Sequence, residues 1–124
     1  MQQSPLIGIV DDDPDIPAAL GSLVRSLGYM AECFSSAEDL LATKRLAKFA
    51  CVISDIHMPN MSGLELVSEL HRRTNNIPVI LMTGRFEQGL REKALACGAS
   101  AFVTKPFGLD DLFDTIKRAV ERRS

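Results

Sequence analysis

Five short apolar runs, separated by longer segments of helical periodicity, leave this chain little choice of fold. LIGIV (6–10), the segment 29–34, CVIS (51–54), PVILM (78–82) and AFVT (101–104) are each four to six residues long. They lack the apolar/polar alternation of half-buried strands, as strands covered on both faces do. Pro78 is tolerable at a strand's first position. Between the runs, apolar residues recur at helical spacing. Ile16, Leu20, Leu23, Val24 and Leu27 share one face, and Gly28 marks that helix's end. Ser35-Ser36 offers a cap for a second helix through Leu40, Leu41 and Leu46, with Glu38 and Asp39 in its first turn. Leu64, Val67, Leu70 and His71 mark a third; Leu90, Ala94, Leu95 and Cys97, closed by Gly98, mark a fourth. The last begins near Leu109-Asp110 and carries Leu112, Phe113, Ile116 and Val120.

Strict alternation implies right-handed crossovers and a parallel sheet with helices on both faces. The expected fold is α/β, a flavodoxin-like doubly wound (βα)5 unit. Its five-stranded sheet is ordered 2-1-3-4-5, in a single domain over residues 1–124. That order places a topological switch point between strands 1 and 3, and ligands of open parallel sheets bind at such points.

The composition removes several classes. A net charge of −2 argues against a dedicated nucleic-acid surface. No apolar stretch approaches the ~20 residues needed to span a bilayer, and MQQSPLIGIV lacks the basic start of a signal peptide. Cys33, Cys51 and Cys97 are odd in number and form no CxxC, so neither a disulfide framework nor a zinc site is expected. They read as small buried residues in a reducing cytosol.

Polar side chains sit where the apolar runs stop. Asp11 and Asp12 follow LIGIV, Asp55 follows CVIS, Thr83 follows VILM and Lys105 follows AFVT. Every one falls at a strand's C-terminal edge, and the three carboxylates fall at the switch point. Asp12 and Asp55, with a nearby backbone carbonyl, are hard oxygen ligands of the kind Mg²⁺ takes. Three clustered carboxylates repel strongly and call for a proton or a cation. A carboxylate can also attack phosphorus to form an acyl phosphate. Asp55 stands alone after its strand and is the better nucleophile; Asp11 and Asp12 form the pair suited to metal. Lys105 and Thr83 can hold phosphoryl oxygens, since catalysis of phosphoryl transfer is mostly positioning and electrostatics.

IVDDD (9–13), ISDIHMPNMSG (53–63), LMTGR (81–85) and FVTKPF (102–107) together resemble the receiver domain of two-component response regulators, the CheY-like superfamily and its FixJ-like branch in particular. The resemblance covers essentially the whole chain. It implies that Asp55 accepts a phosphoryl group from the phosphohistidine of a sensor histidine kinase or phosphotransfer protein, with Mg²⁺ as cofactor. It also implies that Asp12 and Asp55 bind the metal directly, Asp11 mainly through water, with the His57 backbone carbonyl completing the protein ligands. Thr83 and Lys105 would contact the phosphoryl oxygens, and Thr83 and Phe102 would shift to switch the face of helix 4, strand 5 and helix 5. The implied setting is cytoplasmic, with an output domain or protein target, no membrane, no direct nucleic-acid contact and a possible phosphorylation-dependent homodimer. Lys105-Pro106 resembles the family's Lys-Pro junction, usually cis.

Other residues carry plainer readings. Asp13, before Pro14, suits a helix start. The His57 side chain is expected to face solvent near the site and, with Arg85, to modulate hydrolysis of the acyl phosphate. His71 is expected on the surface, and Met58, Met61 and Met82 in packing. Two rivals remain. A Mg²⁺-dependent hydrolase with an aspartyl-phosphate intermediate usually needs a second carboxylate placed as acid/base near the nucleophile, where position 57 is His, and a cap over the site. A flavodoxin-like cofactor binder needs a phosphate loop rich in Gly, Ser and Thr, where DDDPD would repel phosphate.

Overall fold

The computed structural model of the chain describes residues 4–74, 77–85, 87–105 and 109–123. Strands and helices alternate throughout: β1 (Leu6–Val10), α1 (Asp15–Ser26), β2 (Met30–Phe34), α2 (Ala37–Ala42), β3 (Phe49–Asp55), α3 (Gly63–Thr74), β4 (Val79–Thr83), α4 (Leu90–Ala96), β5 (Ala101–Thr104) and α5 (Leu109–Arg123). A 3-10 turn (Leu46–Lys48) leads into β3. All strands pair in parallel, in the order β2-β1-β3-β4-β5. The expected doubly wound (βα)5 fold is the one observed. No helix among the described residues is long and apolar enough to cross a membrane.

The central strands β1, β3 and β4 are buried on both faces, while the edge strands β2 and β5 are only partly covered. Ile7, Ile9, Cys51, Ile53, Ile80 and Met82 form one layer with Leu20 and Val24 of α1 and Leu112 and Ile116 of α5. Val10, Val52, Val79 and Leu81 form the other with Leu40, Leu66, Leu70 and Leu90. Each such side chain contributes ~1.5–3 kcal/mol of burial, so these layers dominate the stability. One irregularity is built in. Leu6 pairs with Phe49 and Ile7 with Cys51, leaving Ala50 as an extra residue in β3. The bulge moves Phe49 into the layer of Val52 rather than that of Cys51. There its ring meets Phe34 edge-on at 5.9 Å, a preferred aromatic geometry.

The helix ends follow local chemistry. The Asp13 side chain accepts from Asp15 N–H at 3.0 Å and its carbonyl from Ile16 N–H at 3.2 Å, the helix-start role expected of it. Ser36 Oγ accepts from Asp39 N–H and caps α2. Gly28 and Gly98 take φ of +97° and +109° past the ends of α1 and α4, a conformation costly for any residue with a Cβ.

Four expectations need correction. The second helix stops at Ala42, because Thr43 is extended, and Leu46 reaches the core from the 3-10 turn instead. Cys33 is exposed, since β2 lies at the sheet edge, and Cys97 is only partly buried; Cys51 alone is buried as expected. His71 is partly buried and lies over Gly98, where an added Cβ would come within 2.6 Å of its ring. His57 is taken up below. Met58, Met61 and Met82 pack as expected. Pro106 lies outside the described residues, and the Lys105-Pro106 bond with it.

Gly63 opens α3 directly behind the end of β3. A Cβ there would lie 2.6 Å from the Asp55 carbonyl oxygen and 2.9 Å from Ile56 Cα, both backbone atoms that cannot swing aside. Gly63→Ala is therefore expected to destabilise the fold by ~3 kcal/mol, the upper range of overpacking costs. Urea unfolding measures it; an unchanged midpoint would show that α3 can slide without cost.

Candidate functional site

Parallel register assembles the site. Val10 pairs with Ser54, Asp55 with Met82, and Thr83 with Thr104, so β1, β3, β4 and β5 end along one rim. Asp11 and Asp12 leave β1, Asp55 and Thr83 are the last residues of β3 and β4, and Lys105 follows β5. The rim includes the β1/β3 switch point, where the chain's crossovers diverge to opposite faces.

Asp11, Asp12 and Asp55 each place one carboxylate oxygen within 4.8 Å of the other two. Asp11 is 1% exposed and Asp55 8%, while Asp12 faces solvent. Lys105 Nζ reaches over them, 3.2 Å from Asp11 Oδ2 and 3.8 Å from Asp55 Oδ2. Its backbone N–H donates to the Thr83 carbonyl at 2.7 Å, which pins the β5 end beside β4. Asp13 N–H donates to Asp11 Oδ1 at 2.9 Å, and His57 N–H to Asp55 Oδ1 at 3.3 Å.

Three carboxylates face one ammonium. Burial pushes the Asp55 carboxyl above its ordinary value; Lys105 opposes this, the Asp11 charge adds to it, and the His57 N–H opposes it again. The excess negative charge, presented wholly by oxygen, suits a hard divalent cation held by few carboxylates and several waters. The donor set therefore fits Mg²⁺.

Thr83 lies on the same rim and is buried, but its hydroxyl is engaged locally. It accepts from Arg85 N–H at 3.0 Å and donates to the Arg85 carbonyl at 3.3 Å. Phe102 is half-buried against the core layer of Leu81 and Leu90. Arg85 is exposed and lines a cleft of about 500 Å³ together with Asp12, His57, Glu87 and Lys93.

His57 departs from expectation. Its side chain is only 25% exposed, and Nε2 is buried, 3.4 Å from Glu87 Oε1 and outside hydrogen-bond geometry. It faces Glu87 across the cleft rather than open solvent. Glu87, in the loop between β4 and α4, was invisible in the sequence: GRFEQG carries no motif that points to His57.

The fold and rim define a doubly wound α/β module with a cluster of three carboxylates and a lysine at its switch point. The family model described as response regulator receiver domain matches residues 7–117, and the chain belongs to that family. It is 40% identical over 119 residues to the response regulator protein TmoT of Ectopseudomonas mendocina, covering 96% of this chain and 54% of that one. Among solved structures it resembles FixJ-N, with 30% identity, a TM-score of 0.85 and coverage of 97% and 96% of the two chains. Chemotaxis protein CheY4 of Vibrio cholerae is similar, with 26% identity, a TM-score of 0.85 and coverage of 94% and 99%. The chain spans about half the length of the curated relative TmoT.

Proposed function

We propose that this signalling module accepts a phosphoryl group on Asp55 from a phosphohistidine, in a reaction that needs Mg²⁺. The observation that carries this reading is the convergence of Asp11, Asp12 and Asp55 under the Lys105 ammonium. A carboxylate oxygen of Asp55 forms the bond to phosphorus as the P–N bond of the donor breaks. The electron pair stays on the departing imidazole nitrogen. Lys105 is placed to offset charge on the phosphoryl oxygens. Asp12, Asp55 and the His57 carbonyl would hold Mg²⁺, with Asp11 acting mainly through water. Bound there, the ion would neutralise charge on the phosphoryl group.

Thr83 becomes a phosphoryl contact only by giving up its bond to the Arg85 carbonyl. We read that exchange, with an inward turn of Phe102, as the switch that alters the face of α4, β5 and α5. Response regulators work with histidine kinases and output domains. FixJ and DctD are by name transcriptional regulatory proteins, and this chain covers 57% and 27% of them. We therefore expect a sensor kinase or phosphotransfer protein upstream and an output domain or protein target downstream, in the cytoplasm. Direct nucleic-acid contact is not expected of the receiver, and phosphorylation is expected to favour a homodimer. Its chemistry is confined to its own phosphorylation and dephosphorylation, with His57 and Arg85 modulating the latter.

The direct test is incubation with acetyl phosphate and Mg²⁺, followed by intact-mass measurement. A gain of one phosphoryl group, mapped to Asp55, is expected; no gain with folded protein would defeat the reading. A second test isolates the metal. Mg²⁺ at 100 times its Kd should stabilise the parent by ~2.7 kcal/mol, seen as a higher melting temperature at matched ionic strength. Asp12→Asn should lose most of that rise. An equal rise in both proteins would remove Asp12 from the ligand set.

A further inference from the structure

Among the described residues, the His57–Glu87 side-chain pair bridges the cleft between the β3–α3 and β4–α4 loops. His57 is held to the site through its backbone N–H on Asp55 Oδ1, and its ring faces Glu87 at 3.4 Å. The residue is thus tied to the site through its backbone on one loop, while its ring lies against a carboxylate of the other. Asp12, His57, Arg85 and Glu87 all line this cleft, so it opens onto the acidic cluster. At about 500 Å³ it has room for several waters, each needing ~30 Å³. Nothing in the phosphoryl-transfer reading uses Glu87.

We propose that Glu87 is a positioning residue: by holding the His57 ring across the cleft, it restricts the path of water to the acyl phosphate at Asp55 and so lengthens its lifetime. This rests on Asp55 being the phosphoryl acceptor. Hydrolysis requires water to attack phosphorus from the side away from Asp55, as the bond from phosphorus to the Asp55 oxygen breaks. That oxygen keeps the electron pair, and the water's proton passes to solvent. A ring whose Nε2 is wholly covered narrows that approach. Without the Glu87 side chain the ring loses the carboxylate it faces across the cleft and can swing outward. The contact is solvent-exposed on the Glu87 side, so its effect is modest.

The experiment labels each variant with acetyl phosphate and Mg²⁺, removes the donor and follows loss of the phosphoryl mass. Glu87→Ala should label as fully as the parent and lose the phosphoryl group roughly three- to tenfold faster. Glu87→Gln, which keeps the reach and bulk of the side chain against the ring, should stay within about twofold of the parent. In a His57→Ala background, Glu87→Ala should add nothing, because its partner is gone. An unchanged lifetime in Glu87→Ala, a Gln variant as short-lived as the Ala variant, or equal effects with and without His57 would each overturn the role of Glu87. A parent that takes no label at Asp55 would instead sink the phospho-acceptor reading, and this inference with it. The two failures are distinguished by whether label forms at all.

Discussion

Asp55→Asn is expected to abolish the phosphoryl mass gain while leaving the fold intact. The amide fills the same space at the end of β3 and can still accept from His57 N–H, so packing is preserved. It has no anionic oxygen to attack phosphorus. Persistent stoichiometric labelling of the Asn variant would place the acceptor elsewhere, whatever the geometry of the rim. The same variant carries a stability signature of opposite sense. Burial and the Asp11 charge hold the Asp55 carboxyl above its ordinary value, against the pull of Lys105. A raised folded-state value means that the favourable contribution of the protonated form is fully present below the unfolded value, about 3.9. It is lost as pH rises through the folded value. In metal-free buffer at neutral pH the Asn variant should thus be the more stable protein. The gain should vanish at pH values below the ordinary carboxylate range. Denaturant unfolding at acid and neutral pH checks the sign; a variant less stable than the parent at neutral pH would mean that the ionised carboxylate is a net asset to the fold.

Lys105→Ala is the second large effect. The ammonium lies 3.2 Å from Asp11 Oδ2 and 3.8 Å from Asp55 Oδ2. Its removal takes away the positive charge that, in the proposed reaction, would meet charge developing on the phosphoryl oxygens. Loss of one such preorganised group typically costs ~10²–10³ in rate. Labelling by acetyl phosphate at saturating Mg²⁺ should slow by about 100-fold. Mg²⁺ affinity should hold or rise, because a competing cation has left a cluster of three carboxylates. Slower labelling beside undiminished Mg²⁺ binding is a combination that a simple loss of structure cannot produce. Unaltered labelling, or lost Mg²⁺ binding with an intact far-UV spectrum, would break the division of roles between lysine and metal.

The strand pattern was legible because burial on both faces erases alternation in β1, β3 and β4, and because amphipathic helices separate every pair of consecutive strands, as a covered parallel sheet requires. The rim residues were legible for the same reason: a polar group directly after a buried strand has one place to go. Asp11, Asp12, Asp55 and Lys105 meet there. What escaped was set by tertiary geometry. The Ala50 bulge depends on a partner strand. Cys33 looks like a core residue until β2 is known to be at the edge. Leu46 continued a helical spacing that Thr43 interrupts. The His57–Glu87 contact joins two loops thirty positions apart with no periodicity between them.

The ion pair between Lys105 and Asp11 spans 94 positions of the chain. A ribosome delivers the aspartates long before the lysine, at about 5–20 residues per second. Until the end of β5 docks, the acids lack this counter-charge, so on the proposed function a nascent or frayed molecule would be labelled slowly, as Lys105→Ala is expected to be.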